Sequence, residues 1–347
     1  MRRHLWILGL LTAGCTSPID PPLPVRAPDP SARAEAAPSS KTTLAAPPRA
    51  SAPASVAASA PPVAPTLDRT PEALAARYPW PKSRPDAPEE DRLEQRFPPP
   101  HHHVRAAVAP GSFGAWLRDL PLDPRGTPVV SHRGAVILPP DHRNLAAVVA
   151  LDIGAQDLQQ CADSVIRLHA EWQWSHGRRD ESYRAASGAE MPFARWAVGE
   201  RITVTGPAGS KLSWGPAARP DASHQAFRAY LDAVFGWANT VALARDTTPV
   251  ALADLRAGDF VVQPGGPGHA VLILDLATDP EGHRVVLLGQ GFMPAQSFQV
   301  LHPGKQDPNV TPGPIGNGAW FRVDPEGLET PFWPRFAWTA LHRFPAG

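Results

Sequence analysis

The chain has 347 residues, which is long enough for one large domain or two small ones. Its 33 basic and 33 acidic side chains cancel, so the net charge excludes a general electrostatic attraction to nucleic acid or to an anionic membrane surface. There are 44 prolines, many of them in an early segment unlike the rest, and only two cysteines, Cys15 and Cys161.

Residues 1–15 have the layout of a signal peptide. Arg2 and Arg3 open the segment, an apolar run covers residues 5–11, and small residues precede Cys15. An apolar run of this length is too short to span a bilayer as a permanent helix. The segment is therefore expected to direct export.

The last four residues of this segment, ending at Cys15, resemble the bacterial lipobox, although Thr12 stands where an aliphatic residue is usual. The resemblance implies that Cys15 is lipidated and anchors the chain to a membrane without crossing it. Thr16 gives no inner-membrane retention signal. We therefore expect a lipoprotein of the cell envelope, on the periplasmic face of the outer membrane.

The next hundred residues or so contain two different segments. Residues 16–65 consist mainly of Pro, Ala and Ser, a composition that cannot bury a core and that predicts a disordered tether. Residues 66–110 form a transitional segment with two short predicted helices, each ended by proline. Within it, His101–His103 are adjacent and lack a suitably spaced carboxylate, so we interpret them as an exposed loop rather than a metal site.

Residues 111–347 are predicted to form the globular domain. Helices followed by a strand meander indicate an α+β fold. In chain order, the expected elements are a short helix at 112–122, two strand fragments at 127–136, a buried strand or helix at 144–153, a helix at 157–174, a strand in RITVTG, a second helix at 223–243 with Phe227, Leu231, Val234 and Val241 directed inward, and three strands, DFVVQ, HAVLILDLA and RVVLLGQ.

The helix predicted over 157–174 carries the first candidate site residue. Asp157 and Gln160 have the spacing of a capping box, which places Cys161 in the first turn. There the unpaired N–H groups and the positive end of the helix dipole favour a thiolate, the reactive form of cysteine. If Cys15 is lipidated, Cys161 has no disulfide partner in the chain. It is then either a reactive thiol or a small buried apolar residue.

Two further candidates lie on the predicted strands. His269 opens the middle strand, directly after the Gly/Pro-rich loop at 264–268. If this strand pairs with the next one as a hairpin, Gln290 falls on the face of His269, where it would hold the ring and fix its tautomer. Asp275 and His302 are alternatives for this third position.

A cysteine at a helix N-terminus, a histidine at a strand start and a polar residue on the following strand resemble the papain-like cell-wall hydrolases, including the CHAP amidases. The resemblance implies a papain-like α+β fold in which the helix bearing Cys161 packs on a small antiparallel sheet. Cys161 would be the nucleophile, His269 the base and Gln290 the residue that orients it. The motifs that carry the resemblance are Gly-Asp before a strand at 258–262, Gly-His before a strand at 268–273, and the strand at 285–290.

A longer resemblance covers nearly all of the globular part. The stretches at 112–122, 158–172, 265–275 and 292–296 are similar to a bacterial lipoprotein family, domain of unknown function family 4846. This second resemblance brings no established activity with it.

The leading hypothesis is a lipid-anchored thiol hydrolase that cleaves amide or peptide bonds, with peptidoglycan stem peptide as the substrate class. The backbone N–H of Cys161 would stabilise the oxyanion, with Gln160 or Gln156 as a second donor. No cofactor is expected. The alternative is a non-catalytic binding or scaffolding lipoprotein in which Cys161 is inert. A third is a metal-dependent hydrolase that uses His101–His103, or His132 and His142.

Overall fold

The computed structural model describes residues 68–205, 211–304 and 318–345. The predicted signal peptide, the lipidation site at Cys15 and the tether over residues 16–65 lie outside these ranges. No helix within them is long and apolar enough to cross a membrane.

The helices are short, except for two. The described residues contain α1 (Pro71–Arg77), α2 (Leu93–Arg96), α3 (Phe113–Arg118), α4 (Cys161–Ser175), α5 (Phe193–Ala197), α6 (His224–Phe235) and α7 (Thr240–Arg245). The predicted second helix at 223–243 is therefore two helices, α6 and α7. Asn239 separates them, because its side-chain oxygen accepts from two N–H groups of the α7 first turn. Val241 is 43% exposed, so its predicted inward direction was wrong.

The strands form one large sheet and four small hairpins. They are β1 (Val104–Arg105), β2 (Val129–Val130), β3 (Val136–Leu138), β4 (Leu145–Val148), β5 (Ser182–Arg184), β6 (Glu190–Pro192), β7 (Glu200–Thr205), β8 (Lys211–Pro216), β9 (Thr248–Pro249), β10 (Phe260–Gln263), β11 (His269–Thr278), β12 (Arg284–Gln290), β13 (Gln299–Leu301), β14 (Trp320–Arg322), β15 (Leu328–Thr330), β16 (Trp333–Phe336) and β17 (Leu341–Arg343).

The large sheet has nine strands among the described residues. Its main path is β4-β13-β12-β11-β10-β17-β9, with β1 on β11 and β14 on β12, and its pairs are antiparallel. The fold is thus mixed α and β with an antiparallel sheet, and that sheet is larger than the small one predicted. The strands predicted as DFVVQ, HAVLILDLA and RVVLLGQ correspond to β10, β11 and β12.

The two faces of the sheet bury separate apolar clusters. Because side chains alternate along a strand, Ala270 and Leu272 of β11 face the larger cluster, which includes the inward side of α4. Val271 and Ile273 face the smaller cluster, to which the β15–β16 hairpin contributes. The candidate residues on β11 and β12 lie where these two layers meet the N-terminus of α4.

The packed core begins before Gly111, where the sequence placed the start of the globular domain. Tyr78 and Trp80, from the segment interpreted as transitional, are at most 1% exposed and belong to the larger cluster. The indole N–H of Trp80 donates to the carbonyl of Ala150 over 2.6 Å. Large aromatic side chains such as these stabilise a core substantially when they are buried, so this segment packs as part of the domain.

Candidate functional site

Helix α4 begins at Cys161, so the thiol belongs to its first residue. Gln160 before it is extended, and its N–H donates to Asp163 Oδ2 over 3.1 Å. The N–H of Ser164 bonds back to the carbonyl of Gln160 over 3.0 Å. The N–H groups of the first three helical residues thus have no acceptor within the helix. They form the positive end of the helix dipole, at the residue that carries the thiol.

Asp157 does not cap this helix, contrary to the prediction. Its Oδ1 instead accepts from the backbone N–H of Ala295 over 2.7 Å and from Nε2 of Gln160 over 3.1 Å. Residues 156–160 are held in tight turns by bonds between residues two apart. Because those turns are not helical, α4 cannot begin until Cys161.

The thiol lies against the backbone on both sides of His269. Cys161 Sγ is 4.0 Å from the carbonyl oxygen of Gly268, and the backbone N–H of Ala270 also interacts with the sulfur. The Cys161 residue as a whole is 5% exposed. The sulfur is therefore enclosed at the point where the first turn of α4 meets the start of β11.

The structure brings His269 and Gln290 together. Leu272 pairs with Gly289 across β11 and β12, which places Gln290 on the His269 face. His269 Nε2 lies 2.8 Å from Gln290 Oε1. Because a carboxamide oxygen only accepts, Nε2 carries the ring proton, and Nδ1 of the neutral ring is left as an acceptor. That Nδ1 is buried and has no hydrogen-bond partner in the described chain.

The two alternatives for the third position are occupied elsewhere. Asp275 is fully buried and accepts from Arg105 over 2.6 Å and from Arg118 over 2.8 Å. His302 accepts at Nδ1 from the backbone N–H of Gly304 over 3.0 Å. Neither side chain is the partner of His269.

No hydrogen bond joins the Cys161 thiol to the His269 ring in this conformation, since Nδ1 has none. The alternation along β11 and β12 explains the separation. The side chains of His269 and Gln290 lie on the face of Val271, whereas α4 packs on the face of Ala270. The Cys161 thiol therefore contacts the backbone of β11 next to His269 rather than the His269 side chain.

The pKa shifts of the two groups oppose the predicted thiolate. Burial raises the pKa of the Cys161 thiol, an effect that the N–H of Ala270 only partly offsets, and the Asp163 carboxyl raises this pKa further. Burial lowers the pKa of His269 to about 4, against the small raising effect of its bond to Gln290. Both groups are consequently neutral near pH 7. The expectation that the helix N-terminus favours a resting thiolate was wrong, because loss of solvation outweighs the dipole.

Aromatic side chains cover His269 from outside. Its ring centroid lies 4.9 Å from that of Phe292 and 4.9 Å from that of Trp333, with Phe336 at 6.2 Å. Trp333 and Phe336 belong to the β15–β16 hairpin, which the sequence did not predict. The fully buried state of His269 follows from this cover.

The groups predicted to stabilise the oxyanion, the side chains of Gln160 and Gln156 and the backbone N–H of Cys161, lie in different surroundings. The Gln160 side-chain amide already donates to Asp157, and Gln156 is exposed. The backbone N–H groups of Cys161 and Ala162 both interact with the sulfur. Together with the N–H of Ala270, these backbone groups are the donors beside the sulfur and beside any carbonyl that the thiol would attack.

Sequence reasoning missed Asp163, which is 6% exposed in the first turn of α4. Burial raises its pKa to about 8, although the N–H of Gln160 donates to it. The spacing of Gln160 and Asp163 matches a capping box, and that pattern could have identified both the residue and the true helix start.

One group of potential metal ligands is present in the described part of the chain. Asp279, Glu281 and His283, in the turn between β11 and β12, have ligand atoms within 4.8 Å of one another. Asp279 already accepts from the backbone N–H of His283 over 2.7 Å and pairs with its ring over 2.8 Å. Of His101–His103, interpreted as an exposed loop, the first two are exposed and His103 is buried.

Comparison with known proteins gives one relationship. No protein with a curated description and no solved structure matches the chain. A family model described as "Domain of unknown function (4846)" matches residues 93–343, from the start of α2 to the end of β17. This match covers most of the chain, including α4 and the whole candidate site. The chain therefore belongs to the family described as Domain of unknown function (4846).

Proposed function

We propose that this protein is a lipid-anchored thiol hydrolase of the cell envelope, with a papain-like arrangement of Cys161, His269 and Gln290. The observation that carries the proposal is the bond between His269 Nε2 and Gln290 Oε1. It leaves a buried acceptor, Nδ1, unpaired on the residue after Gly268, whose carbonyl oxygen lies 4.0 Å from the thiol at the α4 N-terminus. An unpaired buried acceptor costs about 1–3 kcal/mol, which a catalytic role for Nδ1 would account for.

The reaction starts from a neutral thiol and a neutral imidazole. As Sγ attacks an amide carbonyl carbon, its proton passes to Nδ1 of His269. The tetrahedral oxyanion accepts from the N–H groups at the start of α4, then collapses and expels the amine, which takes the proton from His269. Water, deprotonated by His269, hydrolyses the thioester to a carboxylic acid and restores the Cys161 thiol.

Substrate must reach a histidine that is now covered. Phe292 and Trp333 have to move away from His269, and the start of β11 has to turn the ring toward the α4 face, before Nδ1 can approach the thiol or a substrate. Peptidoglycan stem peptide is the proposed substrate class, since it is the amide-rich polymer at the expected envelope location. The lipid anchor at Cys15 and the tether would place the domain there.

The test is amide cleavage in purified peptidoglycan, followed by mass spectrometry of the released fragments. The full chain should release new amine and carboxylate ends. Cys161→Ser and His269→Ala should abolish release, and Gln290→Ala should reduce it at least tenfold because the ring loses its orientation. Release that persists in Cys161→Ser would overturn the proposal.

The burial of the site favours a second candidate function, a non-catalytic binding lipoprotein. Cys161 and His269 are 5% and 0% exposed, and their pKa shifts favour the neutral forms. Iodoacetamide labelling of a Cys15→Ser chain, in which Cys161 is the remaining thiol, separates the two. Labelling in the native state that slows in His269→Ala supports the hydrolase. Labelling that requires denaturant, with no cleavage, supports the binding function.

A further inference from the structure

A second site of interest lies beside α4, two turns or about 12 Å along the helix from Cys161. There a cavity of about 410 Å³ opens between α4, α7 and the chain that follows β17. Ile166, Leu243 and Phe344 supply apolar wall, and the polar residues His169 and Glu181 also line the cavity. This volume falls within the range of pockets that bind small organic molecules, about 300–1,000 Å³.

Glu181 is the most unusual of these lining residues. It is 8% exposed, and neither carboxyl oxygen has a hydrogen-bond partner in the described chain. Burial raises its pKa to about 7. By contrast, the buried carboxylate of Glu171 pairs with Arg167 over 2.8 Å and with His224 over 2.9 Å. A buried carboxyl without a partner is costly unless something else supplies one.

His169, which also lines this cavity, carries a second buried atom without a partner. Its ring stacks on Phe344, with the centroids 3.8 Å apart and the planes 10° apart, and its Nδ1 lies 3.2 Å from the hydroxyl of Tyr183. Nε2 is buried without a partner among the residues described. Burial lowers the pKa of His169 to about 3, so the ring is neutral and does not repel a cation.

The basic residues at the rim are engaged with other groups. Arg178 donates to Gln173 over 2.7 Å, and Arg184 pairs with Glu190 over 2.9 Å and with Asp246 over 3.5 Å. Arg184 is thus neutralised by two carboxylates, whereas Arg178 keeps its positive charge because the amide of Gln173 is neutral. The carboxyl of Glu181 has no hydrogen-bond partner among the described residues, and Arg179, which stacks on Trp174, acts on it only through its charge.

We propose that this cavity binds a small ligand that carries a primary amine on an apolar body. On binding, the enclosed carboxyl of Glu181 would turn into the cavity and pair with the ammonium group, which would use another of its three donors on His169 Nε2. The aliphatic part would lie against Ile166, Leu243 and Phe344. Neither Cys161 nor His269 takes part, so this binding site is independent of the proposed hydrolase.

Calorimetric titration of the full chain with three probes of six carbon atoms each tests the charge requirement. Hexylamine should bind saturably with one site. 1-Hexanol, its neutral counterpart, should bind at least tenfold more weakly, and hexanoate should not bind, because it would place a second carboxylate beside Glu181. Equal affinity for hexylamine and hexanol, or no saturable binding of hexylamine, would overturn the proposal.

A pair of variants then locates the charge. Glu181→Gln keeps the shape of the side chain and should reduce hexylamine affinity at least tenfold, to the level of hexanol. Glu72→Gln removes an exposed carboxylate in α1, outside the cavity, and should change the affinity less than threefold. Equal losses in the two variants would contradict a specific role for Glu181. The comparison of probes uses the wild-type chain, so it holds even if Glu181→Gln does not fold.

Discussion

Asp163 connects the start of α4 to the pH dependence of stability. Its folded pKa of about 8 lies far above the ordinary value of 3.8. Between these two values the unfolded chain binds fewer protons than the folded one, so this group makes the free energy of unfolding fall as pH rises from about 4 to about 8.

Asp163→Asn should weaken that dependence, because Asn cannot ionise and its Oδ1 still accepts from the N–H of Gln160. Urea unfolding at pH 4 to 8 should show the variant gaining stability relative to wild type as pH rises. Asp180→Asn, at an exposed position, is the control. A constant difference between Asp163→Asn and wild type across this range would contradict a raised pKa.

Gly291 determines how closely α4 approaches β12. A Cβ at this position would come 2.3 Å from Ser164 Oγ and 2.9 Å from the backbone oxygen of Gln160. Only a residue without a side chain allows this contact, which holds the first turn of α4 beside Gln290. The same contact positions Cys161 against the start of β11.

Gly291→Ala should therefore destabilise the fold by about 1–3 kcal/mol, because the first turn of α4 must shift. Chemical denaturation provides the free energy of unfolding. Gly215→Ala is a matched control, since a Cβ there meets nothing within 4 Å. Equal effects of the two substitutions would show that the close approach at Gly291 does not matter.

A buried ion pair on α4 ties the helix to its surroundings. Arg167 and Glu171 are fully buried and 2.8 Å apart, and Arg167 also reaches Asp152 over 3.1 Å. Removing one partner leaves a charge without compensation in the core.

Arg167→Met is expected to lower the free energy of unfolding by about 3–5 kcal/mol. Arg335→Met removes exposed pairs with Glu326 and Glu329 and should have a much smaller effect, because solvent screens these charges. Urea unfolding of both variants measures the difference. A loss below about 1 kcal/mol for Arg167→Met would mean that the α4 pair adds no more than the surface pairs.

At the scale of the whole molecule, the segment before the family match is part of the core. The match begins at Leu93, yet Trp80 is 1% exposed and packs with Tyr78 and Trp116. Trp80→Ala should cost about 3–5 kcal/mol, measured by chemical denaturation, because it opens a large cavity. Val198→Ala, at a 64% exposed position, should change stability by less than about 0.5 kcal/mol. A similarly small effect at Trp80 would mean that this segment contributes little to the stability of the domain.

The sequence predicted the parts of the fold that depend on local pattern. Strands β10, β11 and β12 were predictable because apolar runs and Gly- or Pro-containing turns delimit them. The position of Gln290 on the His269 face followed from the period of two along paired strands. The first-turn position of Cys161 was also predicted, although the helix begins four residues later than Asp157 suggested.

Only the tertiary structure decided the chemical state of the site. Whether Cys161 favours its thiolate depends on how much water reaches it, and that is set by β11, α4 and distant segments rather than by its neighbours in sequence. Trp333 covers His269 from a hairpin more than sixty residues away in the chain. Contacts between such distant segments leave no periodic signal in the sequence, so the burial, the pKa directions and the unpaired carboxyl of Glu181 were decided by the packing of the whole fold.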